Sequence, residues 1–396
     1  MMYTETIKLE SVITDIAAGP FGSNLKVSCF VDYGFPIIDG ANLKGFKVTD
    51  NVTKFVTEEK ARSLHRSIAK RNDVIVTISG TLGQIAYIPE NSMFEEYLCS
   101  QRQFRVSFDT ERVFVPYLVY YFHSREGQHK ILSFANQTGV PALSQPLKNF
   151  RNIEVDLPDI DTQKQIASVM LSLDEKIELN TAINENLEQQ AQALFKNLIA
   201  DIQERVPFTS VIQVLGGGTP KTGKQEYWNG EIPFFTPKDV GTPYVLTTEK
   251  NITPLGLDNC NSRLYPVNTV FLTARGTVGK VSLAGVPMSM NQSCYALAGK
   301  DGLHQIIVYH YVLETVKALK HKASGAVFDA IITRDFDTES VPALSAEQID
   351  SFLTVTEPIY SDILNRTIEN QRLSALRDTL LPKLMNSEID VSEVKV

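Results

Sequence analysis

The segment from Gly218 to Lys224 has the residue types and spacing of a loop that could hold phosphate. Two glycines enclose four residues and a lysine follows the second, as in the P-loop that surrounds nucleotide phosphates. Gln225, however, stands where a P-loop needs a hydroxyl for Mg²⁺, and residues 226–230 have the composition of a turn rather than of a phosphate-binding helix start. The segment therefore predicts a loop that contacts phosphates through Lys221, Thr222 and Lys224, not a nucleotide site.

The rest of the sequence lacks the spacings of catalytic or metal-binding chemistry. The six histidines are scattered singly, and none pairs with a cysteine at zinc spacing. There is no Gly-x-Ser-x-Gly elbow. The Asn-Pro-Pro-Tyr and Asp-Pro-Pro-Tyr tetrads that amino-methyltransferases use to grip a flipped base are missing, and so is the Gly-x-Gly turn of an adenosyl site. We predict no catalytic residues, no metal and no cofactor.

Charge is distributed unevenly along the chain. The net charge of −8 argues against a polyanionic partner, because phosphate binding requires Lys and Arg. Residues 1–157, however, carry 17 basic and 17 acidic side chains, and residues 205–344 carry 13 and 11. The acidic excess is confined to residues 158–204 and 345–396. Net charge therefore neither excludes nucleic acid nor indicates it.

Cysteine usage and hydropathy favour a cytoplasmic protein. The 4 cysteines lie far apart without a C-x-x-C pair, which is typical of reduced thiols. No apolar run reaches the ~18 residues of a membrane span. Residues 1–10 lack the basic and apolar regions of a secretory signal. A hydrophobic content of 43% is enough for packed cores.

The segments that would position these loops occur twice. Residues 73–87 resemble residues 268–282, because in each a β-branched run enters a Gly-Thr-x-Gly turn and leaves as another strand. Further pairs follow in the same order, Phe35-Pro-Ile-Ile with Ile232-Pro-Phe-Phe and Ser100-Gln-Arg-Gln-Phe with Asn291-Gln-Ser-Cys-Tyr. A repeat of roughly 190 residues predicts two globular domains, at residues 1–157 and 205–344.

A long helix is predicted after each domain. Heptad seams indicate one helix from about Asp161 to Ile202 and another from Ser345, where Gln348 completes a capping box; they occupy residues 158–204 and 345–396. Both seams turn polar near their centres, and antiparallel pairing would bring these polar positions together. The residues expected to pair are Ile177, Asn180, Asn184, Leu187, Ile363, Arg366, Asn370 and Leu373. The alternative is that each helix packs on its own domain alone.

With this repeat, the sequence resembles the specificity subunits of type I restriction–modification enzymes over nearly its full length. Matching motifs include Gly19-Pro-Phe-Gly-Ser23, Gly217-Gly-Thr-Pro220 and the two Gly-Thr-x-Gly turns. The segments Leu157-Pro-Asp-Ile-Asp-Thr-Gln-Lys-Gln-Ile166 and Leu376-Arg-Asp-Thr-Leu-Leu-Pro-Lys-Leu384 also match. The resemblance implies an α+β fold in which two pseudo-repeated target-recognition domains are separated by two long antiparallel coiled-coil helices.

The resemblance further implies a non-catalytic subunit that reads double-stranded DNA. Each domain would read half of an asymmetric bipartite target. The helices would dock two methyltransferase subunits, which a restriction and translocation subunit joins.

Loop chemistry supplies candidate DNA contacts. Arg, Lys, Asn and Gln pair with base edges, and Ser and Thr mostly hold phosphates. The candidates are Ser23, Asn24, Lys26, Asn42, Lys44, Arg102, Gln137 and Thr138 in the first domain, and Lys221, Thr222, Lys238, Arg275, Asn291, Gln292 and Ser324 in the second. The alternative for each is a solvated loop residue.

Two other functions remain open on the sequence alone. A tandem protein-interaction scaffold would use the helices as its binding surface and would bind no DNA. A fused nuclease would need clustered acidic or histidine ligands, which the sequence lacks.

Overall fold

The computed structural model describes residues 4–136, 140–241, 243–322 and 330–391. Contacts divide the chain into two compact units, one formed by residues 1–175 with 373–396 and the other by residues 176–372. None of the helices within the described ranges is both long and apolar enough to cross a membrane.

The first unit is built mainly from short strands. Its strands are β1 (Thr4–Lys8), β2 (Ile13–Ala18), β3 (Phe30–Val31), β4 (Phe35–Ile38), β5 (Phe55–Val56), β6 (Ile68–Lys70), β7 (Val74–Thr77), β8 (Ile85–Tyr87), β9 (Glu96–Cys99), β10 (Gln103–Phe108), β11 (Ala135–Asn136), β12 (Ala142–Leu143) and β13 (Glu154–Pro158). Its helices are α1 (Glu58–Ser63), α2 (Val115–His123), α3 (Arg125–Leu132), α4 (Pro146–Arg151) and the start of α5 (Ile160–Ile199).

An antiparallel sheet in the order β2-β10-β7-β8 forms the centre of the first unit. All four residues of β7 are buried, as expected for a continuous apolar run covered on both faces. The aromatic helix α2 packs into the same core, with Phe104, Tyr120 and Phe122 fully buried. A second sheet, β3-β5-β4-β9-β6, contains the parallel pair β4–β9.

The second unit contains a corresponding set. Its strands are β14 (Arg205–Pro207), β15 (Ile212–Gly216), β16 (Trp228–Phe235), β17 (Tyr244–Val245), β18 (Asn251–Ile252), β19 (Val270–Thr273), β20 (Val281–Ala284), β21 (Ser289–Met290), β22 (Cys294–Gly299) and β23 (Ser340–Pro342). Its helices are α6 (Phe208–Val211), α7 (Pro254–Asp258), α8 (Gln305–Lys322), α9 (Thr333–Asp337) and most of α10 (Ala346–Met385).

Strand pairing in the second unit follows that of the first. The sheet β15-β22-β19-β20-β17 matches β2-β10-β7-β8 with one strand added, and β14–β23 matches β1–β13. The parallel pair β16–β21 matches β4–β9, which places Ile232-Pro-Phe-Phe where the first unit has Phe35-Pro-Ile-Ile. The predicted α+β fold with two pseudo-repeated domains and long helices is confirmed.

The long helices begin with side-chain caps. Asp159 caps α5: its carboxylate accepts hydrogen bonds from the N–H groups of Asp161 and Thr162, at 3.1 and 2.9 Å. At α10, Ser345 and Gln348 form the predicted capping box, since each accepts the other's backbone N–H.

Within the second unit the two helices pair antiparallel through polar side chains. Asn180 donates to Asn370 at 2.9 Å and accepts from Arg366 at 3.1 Å. One turn further along α5, Asn184 donates to the carbonyl of Ile363 at 3.3 Å. Increasing numbers on α5 thus meet decreasing numbers on α10. Asn370 also donates to the carbonyl of Ile177, and Leu187 packs against the unit's core.

The first unit contains the other ends of the same helices. Arg377 donates to Asp174 at 2.8 Å, and Leu381 and Leu384 pack with Met170 in the core. Leu373, the last of the predicted pairing residues, is half-buried in this unit. Each unit is therefore stabilised by a segment of both helices.

Candidate nucleic-acid interface

Three loops meet at one edge of the central sheet in the first unit. We name them the glycine loop (residues 19–24), the Gly-Thr turn (residues 78–84) and the Gln turn (residues 100–102). The N–H of Gly19 donates to the carbonyl of Gln103 at 2.7 Å, directly beside the Gln turn. The N–H of Ile78 donates to the carbonyl of Arg102 at 2.7 Å. Backbone hydrogen bonds therefore hold the three loops together.

The second unit contains the same cluster, formed by a glycine loop (residues 217–224), a Gly-Thr turn (residues 274–280) and a Gln turn (residues 291–293). The N–H of Gly218 donates to the carbonyl of Met290 at 3.2 Å, and that of Ala274 to Ser293 at 2.8 Å. The bond from Ala274 to Ser293 is equivalent to the bond from Ile78 to Arg102, so the contact between these two turns is a property of the repeated fold.

Each glycine loop lies so close to its Gln turn that only a residue without a side chain fits. A Cβ on Gly19 would lie 1.9 Å from the carbonyl oxygen of Ser100, and one on Gly217 would lie 2.2 Å from that of Asn291. Both contacts are with backbone, which cannot rotate away.

We expect Gly19→Ala to destabilise the first unit by about 2 kcal/mol, because overpacking against backbone forces the loop outward. Gly45→Ala is the control, since a Cβ there meets no atom within 4 Å. Thermal unfolding checks the stability; equal unfolding of both variants would contradict the close approach.

A helix side chain donates a hydrogen bond to the backbone of each Gly-Thr turn. Gln128 on α3 donates to the carbonyl of Gly83 at 2.9 Å, and Lys320 on α8 donates to that of Gly279 at 2.9 Å. Burial, together with nearby Lys280, holds the pKa of Lys320 below its ordinary value. Gly83 and Gly279 have φ angles of +85° and +72°, which favour glycine. These glycines therefore set the backbone shape of the two turns.

A cavity of about 520 Å³ opens beside the cluster in the first unit, between Lys54, Gln84 and Arg102. Asp39 also lines it and is paired with Lys54 at 2.6 Å. Partial burial by itself would raise the pKa of Asp39, but hydrogen bonds from Lys54 and the N–H of Ala41 outweigh it, and the pKa is lowered. The carboxylate is thus charged but neutralised, which limits its repulsion of phosphate.

Four candidates of the first domain are exposed on or near the cluster. Ser23 and Asn24 are exposed on the glycine loop, Lys26 follows them, and Arg102 is exposed on the Gln turn. Lys44 is exposed on a separate loop.

Asn42 has a structural role and is withdrawn from the candidate contacts. The residue is 3% exposed. Its amide nitrogen donates to the carbonyls of Thr49 and Asn51, and its amide oxygen accepts from the N–H of Asp39. A base would have to displace these bonds, at a cost of about 1–3 kcal/mol for each group left unpaired.

The candidates of the second domain are mostly exposed as well. Lys221 and Thr222 are exposed on the glycine loop, and Arg275 on the Gly-Thr turn. Asn291 and Gln292 form the Gln turn, where the amide oxygen of Gln292 accepts from the hydroxyl of Thr219. Lys238 lies outside the cluster and makes an exposed ion pair with Glu249 at 3.3 Å.

Three candidates, Gln137, Thr138 and Ser324, lie outside the described residues. Neighbouring residues that the structure describes do reach the cluster. Ala142 bridges to Ser79 in the first unit, and Ala330 bridges to Arg275 in the second.

Gln101 belongs to the cluster but is absent from the sequence-derived candidates. It is exposed, and its amide oxygen lies against the glycine loop, where a Cβ on Gly22 would be 2.7 Å away. Gln292 occupies the same position in the second unit and contacts Thr219. The repeat contained the signal, because both Gln turns place glutamine second.

Among the described residues, acidic and metal-ligating side chains do not gather at either cluster. Throughout the described ranges, no group of three or more His, Cys, Asp or Glu side chains is placed to hold a metal ion. The clusters instead offer amide, hydroxyl, guanidinium and ammonium groups, which hydrogen-bond bases and phosphates.

Comparisons with known proteins agree with this geometry. Residues 22–189 and 204–356 match the family model of the type I restriction modification DNA specificity domain. The HindI specificity subunit of Haemophilus influenzae is 24% identical over 318 residues, which cover 60% of this chain and 69% of that protein. The EcoR124I/EcoR124II specificity subunit of Escherichia coli is 24% identical over 293 residues, covering 66% and 69%.

A solved structure shares the fold. The S subunit of the type I restriction–modification system of M. genitalium aligns over 97% of this chain and 96% of its own, with a TM-score of 0.58 and 14% identity. The family match spans both repeats, and each repeat contains the same loop cluster. This chain therefore belongs to the type I restriction–modification DNA specificity family.

Proposed function

We propose that this chain is the DNA-reading subunit of a cytoplasmic type I restriction–modification complex and that each domain reads one half of a bipartite target. The observation that carries the proposal is the duplicated cluster. Two domains with the same fold present the same three loops. An equivalent backbone hydrogen bond joins the Gly-Thr turn to the Gln turn in each domain, and the glycine loop approaches the Gln turn at the equivalent residue in each.

The loop sequences support readout of two different half-sites. The glycine loop of the first unit, Gly19-Pro-Phe-Gly-Ser-Asn24, has no basic residue, whereas Gly217-Gly-Thr-Pro-Lys-Thr-Gly-Lys224 has two lysines. A shared backbone sets where each domain meets DNA, and different side chains set what it reads. Because the loop side chains differ between the domains, the two halves of the target should differ in sequence.

The long helices would dock two methyltransferase subunits, and a restriction and translocation subunit would join them. The acidic excess lies in the segments that form these helices, which makes them poor DNA contacts and suitable protein contacts. Apolar side chains also face solvent there, with Leu179 56% and Val355 51% exposed.

Assembly with the methylating partner is expected to give one copy of this chain and two of the partner. Native mass spectrometry of the co-expressed complex measures this ratio. One partner copy at saturation would contradict docking at two sites.

DNA binding by that complex should depend steeply on salt, because basic side chains release counterions from phosphates. Affinity for its target is measured at two salt concentrations, with a scrambled sequence as the control. A protein-interaction scaffold predicts no sequence preference, and the family match favours DNA readout over it.

A further inference from the structure

The two loop clusters each present an exposed arginine, but from different loops. In the first unit Arg102 stands on the Gln turn, and the Gly-Thr turn has Ser79. In the second unit Arg275 stands on the Gly-Thr turn, and the Gln turn has Ser293. The second unit thus has arginine where the first has serine, on the Gly-Thr turn, and serine where the first has arginine, on the Gln turn.

Backbone hydrogen bonds establish that these positions correspond. The carbonyl of Arg102 accepts from Ile78 at 2.7 Å, and the carbonyl of Ser293 accepts from Ala274 at 2.8 Å. Ser79 and Arg275 are the next residues along their turns, and each bridges an alanine, Ala142 or Ala330. Each unit therefore has one guanidinium next to the hydrogen bond that joins its Gly-Thr turn to its Gln turn. In the first unit the guanidinium is on the Gln turn, and in the second it is on the Gly-Thr turn.

Neither guanidinium is bound by a residue that the structure describes. Among the residues that the structure describes, the side chains of Arg102 and Arg275 make no hydrogen bond or ion pair. Arg102 instead lies over its Gly-Thr turn, with a terminal nitrogen 3.9 Å from the place of a Cβ on Gly80. By contrast, the buried Arg105 nearby is held by Asp15 at 2.6 Å.

We propose that Arg102 and Arg275 each read a guanine, one in each half of the target. This inference rests on the proposed function and names the base that each domain selects. A guanidinium donates two parallel hydrogen bonds to O6 and N7 of guanine, which is the commonest specific contact to a base. Arg102 and Arg275 extend from different turns of their clusters. The guanine therefore lies at a different position in each half-site.

A glutamine on each Gln turn suits the same surface. Gln101 and Gln292 occupy equivalent positions, and glutamine amides pair with adenine N6 and N7. The two domains therefore share the position of the glutamine and differ in the position of the arginine.

Wild-type complex and modified DNA test the proposal without changing the protein. Replacing guanines of the target one at a time by 7-deazaguanine removes the N7 acceptor. We expect one guanine in each half-site at which affinity falls roughly 10-fold. A half-site without any sensitive guanine would overturn the proposal.

Substitutions then assign each guanine to its arginine. In the complex with the methylating partner, Arg102→Gln should accept other bases at one guanine of one half-site, and Arg275→Gln at one guanine of the other. Each variant is the control for the other, and Arg151→Gln, an exposed arginine at the end of α4, should keep the full motif. Sequencing of methylated DNA gives the motifs.

The outcomes separate base reading from phosphate contact. A phosphate-binding arginine would weaken all sequences alike and lower the salt slope by about 1; that result would refute base readout. If the arginine variants keep the wild-type motif, this inference fails and the proposed function stands. If the wild-type complex has no sequence preference, the proposed function itself fails.

Discussion

Replacing residues 1–157 with the corresponding domain of another family member is expected to change one half of the methylated target and leave the other half unchanged. Each unit has its own loop cluster and its own core, the first around Phe104 and Phe122, the second around Phe208 and Phe336. Side chains of one cluster can therefore be exchanged without repacking the other.

Sequencing the methylated motif of the chimera checks this prediction. The reciprocal exchange of residues 205–344 is the matched experiment and should change only the other half. If either exchange alters both halves together, the domains do not read DNA independently, and the duplicated cluster loses its functional meaning.

Arg377→Ala is expected to destabilise the first unit by about 3 kcal/mol, the largest stability effect that we predict for a single side chain. Arg377 donates to Asp174 at 2.8 Å, and the hydroxyl of Tyr120 donates to the same carboxylate. Asp174 is only 10% exposed, so removing the arginine leaves a buried carboxylate without its counter-charge. The guanidinium also lies over the ring of Phe46, at 4.9 Å.

The control is Arg372→Ala, an exposed arginine on the same helix, which should change stability by less than about 0.5 kcal/mol. Hydrogen exchange resolves the effect, because backbone amides of the first unit should exchange faster while those of the second do not. Equal exchange in the two variants would show that the pair contributes little.

The duplicated architecture could be predicted from the sequence because its signals are local. A Gly-Thr-x-Gly turn between β-branched runs and a heptad seam are visible within a few residues. The capping box of Ser345 and Gln348 is equally local, and the structure contains it.

Contacts that depend on tertiary environment were harder to predict. Asn42 has the amide expected of a base contact, but burial and three hydrogen bonds engage it inside the protein. Its spacing from Asp39, three residues apart, is a capping pattern that could have indicated this role. Side-chain type alone does not separate a recognition amide from a structural one.

The exchange of arginine and serine between the clusters also needed the structure. Aligning the two Gly-Thr-x-Gly turns pairs Ser79 with Arg275, and aligning the two Gln turns pairs Arg102 with Ser293; taken singly, both pairs are mismatches. The hydrogen bond between the Gly-Thr turn and the Gln turn shows that the two mismatched positions are neighbours in space. Each cluster therefore has one arginine and one serine at this pair of positions.

The most direct test of the central claim is to map DNA methylation in cells that express the methylating partner with and without this chain. The account predicts a bipartite motif, two specified halves separated by an unread gap, that is methylated only when the chain is present. The same methylated sites in both cells would contradict DNA readout by this protein.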